Sequence, residues 1–216
     1  MNTLQQLTDK YTQLNKLSLK GEVAILGSTF MTGFEFGELI QRFGSNRKVY
    51  NRSVPGLKIT LAKEIYAEGI IPLAPKDVFI CLGETDLKDK SFDEAKFIAG
   101  YRSLVEFIRA TNPRCKIHVT SVVELSDKAE ELNVALNAMA QELGVNYVNL
   151  RSCLEMQIEG MEHFFVDEQK KPTIMGYIAM WDKISQVCEK SIWTIDDPWQ
   201  KVGASNATSM CMEAAV

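Results

Sequence analysis

The sequence lacks the features that mark membrane, secreted and nucleic-acid-binding proteins. No apolar run approaches the roughly 18 residues of a membrane span, and the polar N-terminal stretch has no signal-peptide core. Lysine and arginine number 24 against 28 aspartates and glutamates, which leaves a net charge of −4. This balance gives no reason to expect a nucleic acid or an anionic membrane as a partner. We therefore expect a cytoplasmic protein.

Cysteine and histidine are also sparse. The five cysteines form no Cys-x-x-Cys pair and leave one unmatched, which indicates free thiols in a reducing compartment. No His, Cys or carboxylate cluster has the spacing of metal ligands, so the sequence predicts no metal and no cofactor. His118 falls within an apolar strand, which is typical of a hydrogen-bonded core residue, and His163 is expected at the surface or in a hinge.

The sequence does contain a regular alternation of apolar strands and amphipathic helices. This pattern predicts a three-layer α/β/α fold with a five-stranded parallel sheet in the order 2-1-3-4-5, joined by right-handed crossovers. The expected strands lie near 22–27, 48–53, 77–83, 115–122 and 145–150.

The helix signals lie between these strands. Apolar spacing predicts one helix from Leu57 to near Gly69. Ser91 begins a predicted capping box, Ser126 is an expected helix cap, and Pro172 is expected in the first turn of the last helix.

These elements predict one domain over residues 1–190, which begins with an N-terminal helix over 1–19. Residues 191–216 form an extension that we expect to pack on the domain or on a partner. The N-terminal helix and this extension are candidate surfaces for a homo-oligomer.

Functional residues of an open parallel sheet collect at the carboxyl ends of its strands. Four segments meet this condition. They are Gly27-Ser28-Thr29, residues 51–56, Gly83-Glu84-Thr85-Asp86 and residues 164–177.

In order and spacing, these segments resemble the sequence blocks of the SGNH (GDSL-type) hydrolases over roughly residues 20–190. In that family the blocks are Gly-Asp-Ser with the nucleophile, a Gly whose N–H serves the oxyanion hole, Gly-x-Asn-Asp, and Asp-x-x-His-Pro. Asn-Arg-Ser-Val-Pro-Gly at 51–56 is similar to the second block of the branch resembling platelet-activating-factor acetylhydrolases. The resemblance implies a flavodoxin-like SGNH fold and carboxylic-ester hydrolysis.

The first three blocks depart from the family pattern. Ser28 stands at the Asp position and Thr29 at the nucleophile position, while Gly56 keeps the glycine of the second block. Thr85 replaces the oxyanion Asn, and Asp86 is retained. The resemblance makes these five residues the oxyanion or ligand-binding positions.

The last block departs as well. Counting back from Pro172, Lys171 stands at the His position and Glu168 at the Asp position, although a shift of one residue would select Asp167. A Lys base works only when it is desolvated, and a neighbouring carboxylate opposes this. Thr29, Glu168 and Lys171 are thus the triad positions, and we expect triad hydrolysis to be lost.

Several interpretations follow. The chain is a small-molecule-binding or interaction module, with a weak site for an anionic or acetylated ligand formed by turn N–H groups, hydroxyls and Lys171. Alternatively, it is an active acyl-ester hydrolase that uses Thr29 and Lys171. A plainer alternative is that the glycines serve only the turns, that Ser28 and Thr29 cap a helix, and that Glu168 and Lys171 form a solvated ion pair.

Overall fold

The computed structural model describes residues 3–43, 47–156, 163–168 and 171–190, and it contains the predicted parallel sheet. The strand order β2-β1-β3-β4-β5 confirms the expected order, and every pairing is parallel. The strands are β1 (Val23–Gly27), β2 (Val49–Asn51), β3 (Asp77–Cys81), β4 (Lys116–Thr120) and β5 (Asn146–Val148). The predicted extension over 191–216 lies outside the described residues.

Helices connect the strands and cover both faces of the sheet. They are α1 (Thr3–Asn15), α2 (Thr29–Thr32), α3 (Phe36–Phe43), α4 (Ala62–Ile65), α5 (Glu84–Leu87), α6 (Glu94–Thr111), α7 (Asp127–Leu143), α8 (Arg151–Leu154) and α9 (Ile174–Lys190). Within the described part of the chain, no helix combines the length and the apolar character needed to cross a membrane.

Successive residues of the central strands point to opposite faces, which gives two apolar layers. Residues such as Ala24, Leu26, Val78 and Ile80 pack with side chains of α1, α4, α6 and α7. Their neighbours Val23, Ile25, Phe79 and Cys81 pack with α3, α8 and α9. The strands β1 and β3 are buried at every position, as expected for a sheet that is covered on both sides.

Three local predictions need correction. The segment after residue 57 is not one helix, because short 3₁₀ turns (Ile59–Leu61 and Ile71–Leu73) and a π turn (Tyr66–Ile70) flank or extend α4. Gly69 and Pro72 are poor helix formers, and the Gly69 carbonyl accepts a hydrogen bond from the Asn15 side chain.

The other two corrections concern helix starts. The cap of α6 is Asp93, which accepts from the Lys96 N–H, whereas the Ser91 N–H and hydroxyl both donate to Asp89. Pro172 pairs with Val166 in a short bridge, and α9 begins two residues later. Ser126 caps α7 as predicted.

A buried polar network lies at the amino end of the sheet. His118 Nε2 donates to Asp77 Oδ1 at 2.9 Å, and its Nδ1 accepts from Asn146 at 3.1 Å, which confirms His118 as a hydrogen-bonded core residue. Arg47 contacts the second oxygen of Asp77 at 3.2 Å and Glu22 at 3.0 Å. Asp77 and His118 are each 1% exposed.

Candidate functional site

The end of β1 is built for a close turn. Gly27 is the last strand residue, and a Cβ there would lie 2.5 Å from Met31 and 2.8 Å from Ser53 Oγ. Its carbonyl accepts from the Val54 N–H, and the Ser28 N–H donates to the Cys81 carbonyl. Glycine is therefore required here for steric reasons, because any larger residue would push α2 and the loop after β2 away from the strand.

The two hydroxyl residues after Gly27 occupy different environments. Ser28 is fully buried, and its Oγ shares a hydrogen bond of 2.7 Å with Thr85 Oγ1. Ser28 precedes α2 but makes no side-chain cap bond, so its hydroxyl does not cap this helix. Thr29 is exposed. A ligand approaching from solvent would meet Thr29 and not Ser28.

The loop after β2 brings a backbone donor to Thr29. The Gly56 N–H donates to Thr29 Oγ1 at 3.0 Å, and Gly56 has a φ of 72° that favours glycine. The side chain of Asn51 fixes this loop, since it donates to the Met31 carbonyl at 2.7 Å and accepts from the Ser53 N–H. Thr29 and the retained glycine of the second block are thus in direct contact.

Helix α1 supports the same loop from outside. The Tyr11 hydroxyl donates to the Ser53 carbonyl. The buried guanidinium of Arg52 donates to Asn15 Oδ1 at 2.9 Å and lies over the rings of Tyr11 and Tyr50. Burial lowers the pKa of Arg52 and raises the pKa of Tyr11. The N-terminal helix therefore helps to position the loop that carries Gly56.

The loop after β3 contains the third block. Gly83 has a φ of 134°, and a Cβ there would lie 2.5 Å from Val122, so both conformation and space require glycine. Asp86 is buried and accepts the Ile59 N–H with both carboxylate oxygens, at 3.1 and 3.4 Å. Burial raises the pKa of Asp86 to about 6. Asp86 thus holds the chain that follows Gly56, while Thr85 contacts Ser28.

Glu84 is the site residue that the sequence interpretation missed. It is 4% exposed, and its Oε1 accepts from the Phe30 N–H at 3.3 Å. Burial raises its pKa to about 7, against the opposing effects of backbone N–H groups, Lys88 and the adjacent Ser28 side chain. The available signal was a carboxyl residue directly after a buried strand and Gly83, because such positions lie at the carboxyl end of the sheet.

The last block lies on an exposed turn before α9. Glu168 and Lys171 are both exposed, and so is His163, as predicted. The Asp167 N–H donates to the Lys171 carbonyl, and the Lys171 N–H donates to Asp167 Oδ1 at 2.8 Å. A hydrogen bond of 2.8 Å from the Tyr177 hydroxyl to the Phe30 carbonyl links α9 to the segment that follows β1.

Solved structures share this architecture at low sequence identity. A Streptococcus pneumoniae protein named for platelet activating factor matches with a TM-score of 0.73 and 18% identity, over 85% of this chain and 91% of that one. A GDSL-like lipase from Bacteroides thetaiotaomicron matches with a TM-score of 0.71 and 20% identity, over 86% of this chain and 98% of that one. A lipase/acylhydrolase from Enterococcus faecalis matches with a TM-score of 0.67 and 13% identity, over 82% of this chain and all of that one (100%). The chain has the SGNH hydrolase fold. Comparison with protein-family models gave no match, and neither did comparison with curated proteins.

In this SGNH fold the loops after β1, β2 and β3 converge on Thr29. Gly56 contacts Thr29 directly, Thr85 contacts the neighbouring Ser28, and Glu84 contacts the N–H of Phe30. Among the residues that the structure describes, no group of three or more His, Cys, Asp or Glu side chains is arranged to hold a metal ion.

A small recess lies beside these loops. Most of its lining is apolar, and two polar side chains contribute. The lining residues are Phe30, Met31, Cys81, Glu84, Ser121, Val122 and Val123.

Proposed function

We propose that this chain is a non-hydrolytic relative of the GDSL-type hydrolases that binds a small acetylated or anionic ligand at Thr29, Gly56 and Thr85. The observation that carries the proposal is the hydrogen bond of 3.0 Å from the Gly56 N–H to the hydroxyl of the exposed Thr29. It places one backbone donor and one hydroxyl together at the carboxyl end of the sheet, where ligands of such folds bind.

The loss of triad hydrolysis follows from the replaced groups. A serine-type mechanism needs a base that takes the proton from the nucleophile and later returns it. A lysine serves as such a base only when it is desolvated, and Lys171 is exposed. Glu168 is exposed too, and the methyl group of Thr29 crowds its hydroxyl. Ligand binding needs none of these proton transfers.

The charges around the site favour an acetyl group over a strong anion. Glu84 and Asp86 are buried beside the loop, and burial raises the pKa of Glu84 to about 7 and that of Asp86 to about 6. Above these values both carboxylates carry negative charge and repel an anion. A neutral acetyl group avoids this repulsion and can accept a hydrogen bond from the hydroxyl of Thr29, whose oxygen is held by the Gly56 N–H.

The alternative is an esterase in which Thr29 is the nucleophile and Lys171 the base. The contact between Gly56 and Thr29 favours it, since a retained oxyanion donor beside a hydroxyl is also what acyl transfer needs. A purified-protein assay with p-nitrophenyl acetate separates the two functions. We expect no turnover above the buffer rate. Turnover that Thr29→Ala and Lys171→Met abolish, and that Ser28→Ala retains, would establish the esterase instead.

Ligand binding is tested by thermal shift with acetate, uronic acids, phosphate and sulfate at pH 6. A bound ligand stabilises the protein by RT ln(1 + [L]/Kd), about 1.4 kcal/mol at ten times Kd. We add a neutral acetylated sugar to the screen and expect it to stabilise the wild type more than acetate or the other anions do, and Thr29→Ala to reduce the shift. Lys171→Met should reduce it only for anions, and the exposed Lys128→Met should behave as wild type. Equal shifts in all variants would contradict the proposed site.

Two further parts of the proposal concern the environment of the chain. We propose a cytoplasmic location, supported by free thiols at Cys81, Cys115, Cys153 and Cys188. We also propose a homo-oligomer that uses the surface around Leu17 and Leu19, which are 84% and 59% exposed after α1. Light scattering on the wild type and on Leu17→Ser tests this, and a monomer in both would refute it.

A further inference from the structure

Arg52 is a buried cation whose hydrogen-bond partners are uncharged. It is 4% exposed and lies in the loop that leads from β2 to Gly56. Among the residues that the structure describes, the guanidinium donates to Asn15 Oδ1 at 2.9 and 3.1 Å, to the Asn51 carbonyl at 3.1 Å and to the Ser18 hydroxyl at 3.3 Å. A buried charge is costly unless such partners surround it, so the position of Arg52 depends on them.

Helix α1 supplies most of these partners. Asn15 is its last residue, Ser18 follows shortly after it, and the Tyr11 ring has its centre 5.2 Å from Arg52 Cζ. If α1 detached, Arg52 would exchange these contacts for water. The hydrogen bond from the Tyr11 hydroxyl to the Ser53 carbonyl would break as well. Docking of α1 therefore decides how two consecutive residues of the loop are held.

The attachment of α1 to the domain is weak by comparison with the longer helices. Of the α1 side chains that the structure describes, only Thr8 and Tyr11 are buried, whereas α6 buries five apolar side chains. Elements with few buried apolar contacts open at a low free energy. A detached helix of 13 residues is also marginal in water, so α1 would lose its helical hydrogen bonds on leaving.

The loop in turn fixes the hydroxyl that the proposed function uses. The Gly56 N–H donates to Thr29 Oγ1 at 3.0 Å, which leaves the Thr29 O–H free to donate to a ligand. Gly56 follows soon after Arg52 and Ser53, which α1 holds. A binding group that is already oriented costs the ligand less entropy than one that must be ordered on binding.

We propose that Arg52 is a positioning residue that couples the docking of α1 to ligand binding at Thr29. The inference rests on the proposed function for its ligand and adds a regulatory element to that site. With α1 docked, the loop holds Gly56 against Thr29. With α1 detached, Arg52 becomes hydrated, the loop loses its contacts with α1, and the ligand binds more weakly. Because such coupling is reciprocal, a ligand at Thr29 also makes α1 harder to detach.

The first part of the experiment needs no ligand. NMR measures the solvent-exchange rates of the Tyr11 N–H, which reports on α1, and of the Gly56 N–H, which reports on the loop. Asn15→Ala leaves the buried Arg52 with fewer acceptors and should accelerate exchange at both amides about tenfold, the effect of losing a hydrogen bond to a charged group. Gln13→Ala, at an exposed position of the same helix, should leave both rates unchanged.

A second background tests whether Arg52 transmits the effect. In Arg52→Met no buried charge depends on Asn15. Adding Asn15→Ala to Arg52→Met should therefore change the Gly56 exchange rate by less than about twofold, because the two residues act through one contact. A purely structural role of Asn15 predicts the same acceleration in both backgrounds.

The second part uses N-acetylglucosamine, a neutral acetylated sugar. Its titration, followed by the amide signals of Thr29 and Gly56, gives Kd. At ten times Kd, exchange at Tyr11 in the wild type should slow about tenfold, since the ligand stabilises the docked form by RT ln(1 + [L]/Kd). Arg52→Met should show a smaller slowing.

The outcomes separate this inference from the proposed function. Exchange at Gly56 that stays at the wild-type rate in Asn15→Ala would overturn the coupling, and so would an equal acceleration in the Arg52→Met background. Binding at Thr29 without slower exchange at Tyr11 would overturn it too, while the proposed function stands. No binding of the sugar, together with tenfold faster exchange at Gly56 in Asn15→Ala, would refute the proposed function and retain Arg52 as the residue that positions the loop.

Discussion

The two ends of the sheet bury carboxylates in opposite ways. At the amino end, burial raises the pKa of Asp77, but hydrogen bonding to His118 and the charge of Arg47 outweigh this, and the pKa lies below its usual value. At the carboxyl end, burial dominates for Glu84 and Asp86, and both pKa values lie above the usual range. Burial alone therefore does not set the charge of a carboxyl group in this protein, because the pKa also depends on the side chains that pair with the carboxyl group.

The difference matches what each end does. The amino end carries a network in which Asp77 has two hydrogen-bond partners on different segments, so it ties Arg47 and β4 to the start of β3. At the carboxyl end, Glu84 and Asp86 accept mainly from backbone N–H groups, which hold loops without neutralising charge. The carboxyl end thus keeps two protonatable side chains, Glu84 and Asp86, near the candidate site, and their burial lowers the stability of the folded protein when they ionise.

The largest expected effect comes from breaking the amino-end network. Asp77→Asn removes the buried carboxylate that pairs with Arg47 and accepts from His118, although Arg47 keeps its contact with Glu22, and it should lower the free energy of unfolding at pH 7 by roughly 3 kcal/mol. Because the folded pKa of Asp77 lies below its unfolded value, this loss should be full above about pH 4 and shrink at lower pH. Urea denaturation measures it. Glu131→Gln should stay within about 0.5 kcal/mol of wild type, and an equally small effect of Asp77→Asn would contradict a stabilising network.

The second prediction makes the same comparison at the carboxyl end, with the opposite sign. The folded pKa of Glu84, about 7, lies above the ordinary glutamate value of 4.5, so the folded state binds the extra proton and stability falls as pH rises between these values. Glu84→Gln should remove this loss and be more stable than wild type at pH 8 by about 3 kcal/mol at most. Urea denaturation from pH 4.5 to pH 8 tests it. A parallel pH profile for the two proteins would show that Glu84 does not titrate in this range.

The smallest expected effects compare two buried serines at the candidate site. Ser53 Oγ is buried and has no hydrogen-bond partner in the part of the chain that the structure describes, whereas Ser28 Oγ pairs with Thr85. Ser53→Ala should be neutral or stabilise by up to about 1 kcal/mol, and Ser28→Ala should destabilise by about 1 kcal/mol. Thermal denaturation of both variants measures the difference. Destabilisation by Ser53→Ala would reveal a hydrogen bond to that hydroxyl.

The fold was predictable because its signal is repeated along the chain. Buried strands such as β1 and β3 read as continuous apolar runs, and each is followed by a helical pattern, so an error at one boundary leaves the topology unchanged. Local apolar spacing did not predict the π turn at Tyr66–Ile70, where Asn15 donates from a distant helix to the Gly69 carbonyl. Local periodicity carries no information about that contact.

The site was predictable only in part for a similar reason. Sequence blocks located Thr29, Gly56 and Thr85, and the structure brings Gly56 to Thr29. They did not show that Ser28 is buried while Thr29 is exposed, because the accessibility of neighbouring residues depends on how α2 turns away from the strand. They also missed Glu84, whose burial depends on Phe30 and on the loop after β4.

Glu84 also constrains the order in which mutations could convert this chain to the sequence pattern of the GDSL-type hydrolases. Ser28→Asp would place a second carboxyl group beside Glu84, away from water, and two such groups cannot both ionise without a large repulsion. Thr29→Ser and Lys171→His act at exposed positions and do not meet this obstacle. Glu84 must therefore be replaced by a neutral residue before residue 28 can become acidic. Ser28→Asp is unfavourable while Glu84 is present and tolerable once it has been replaced.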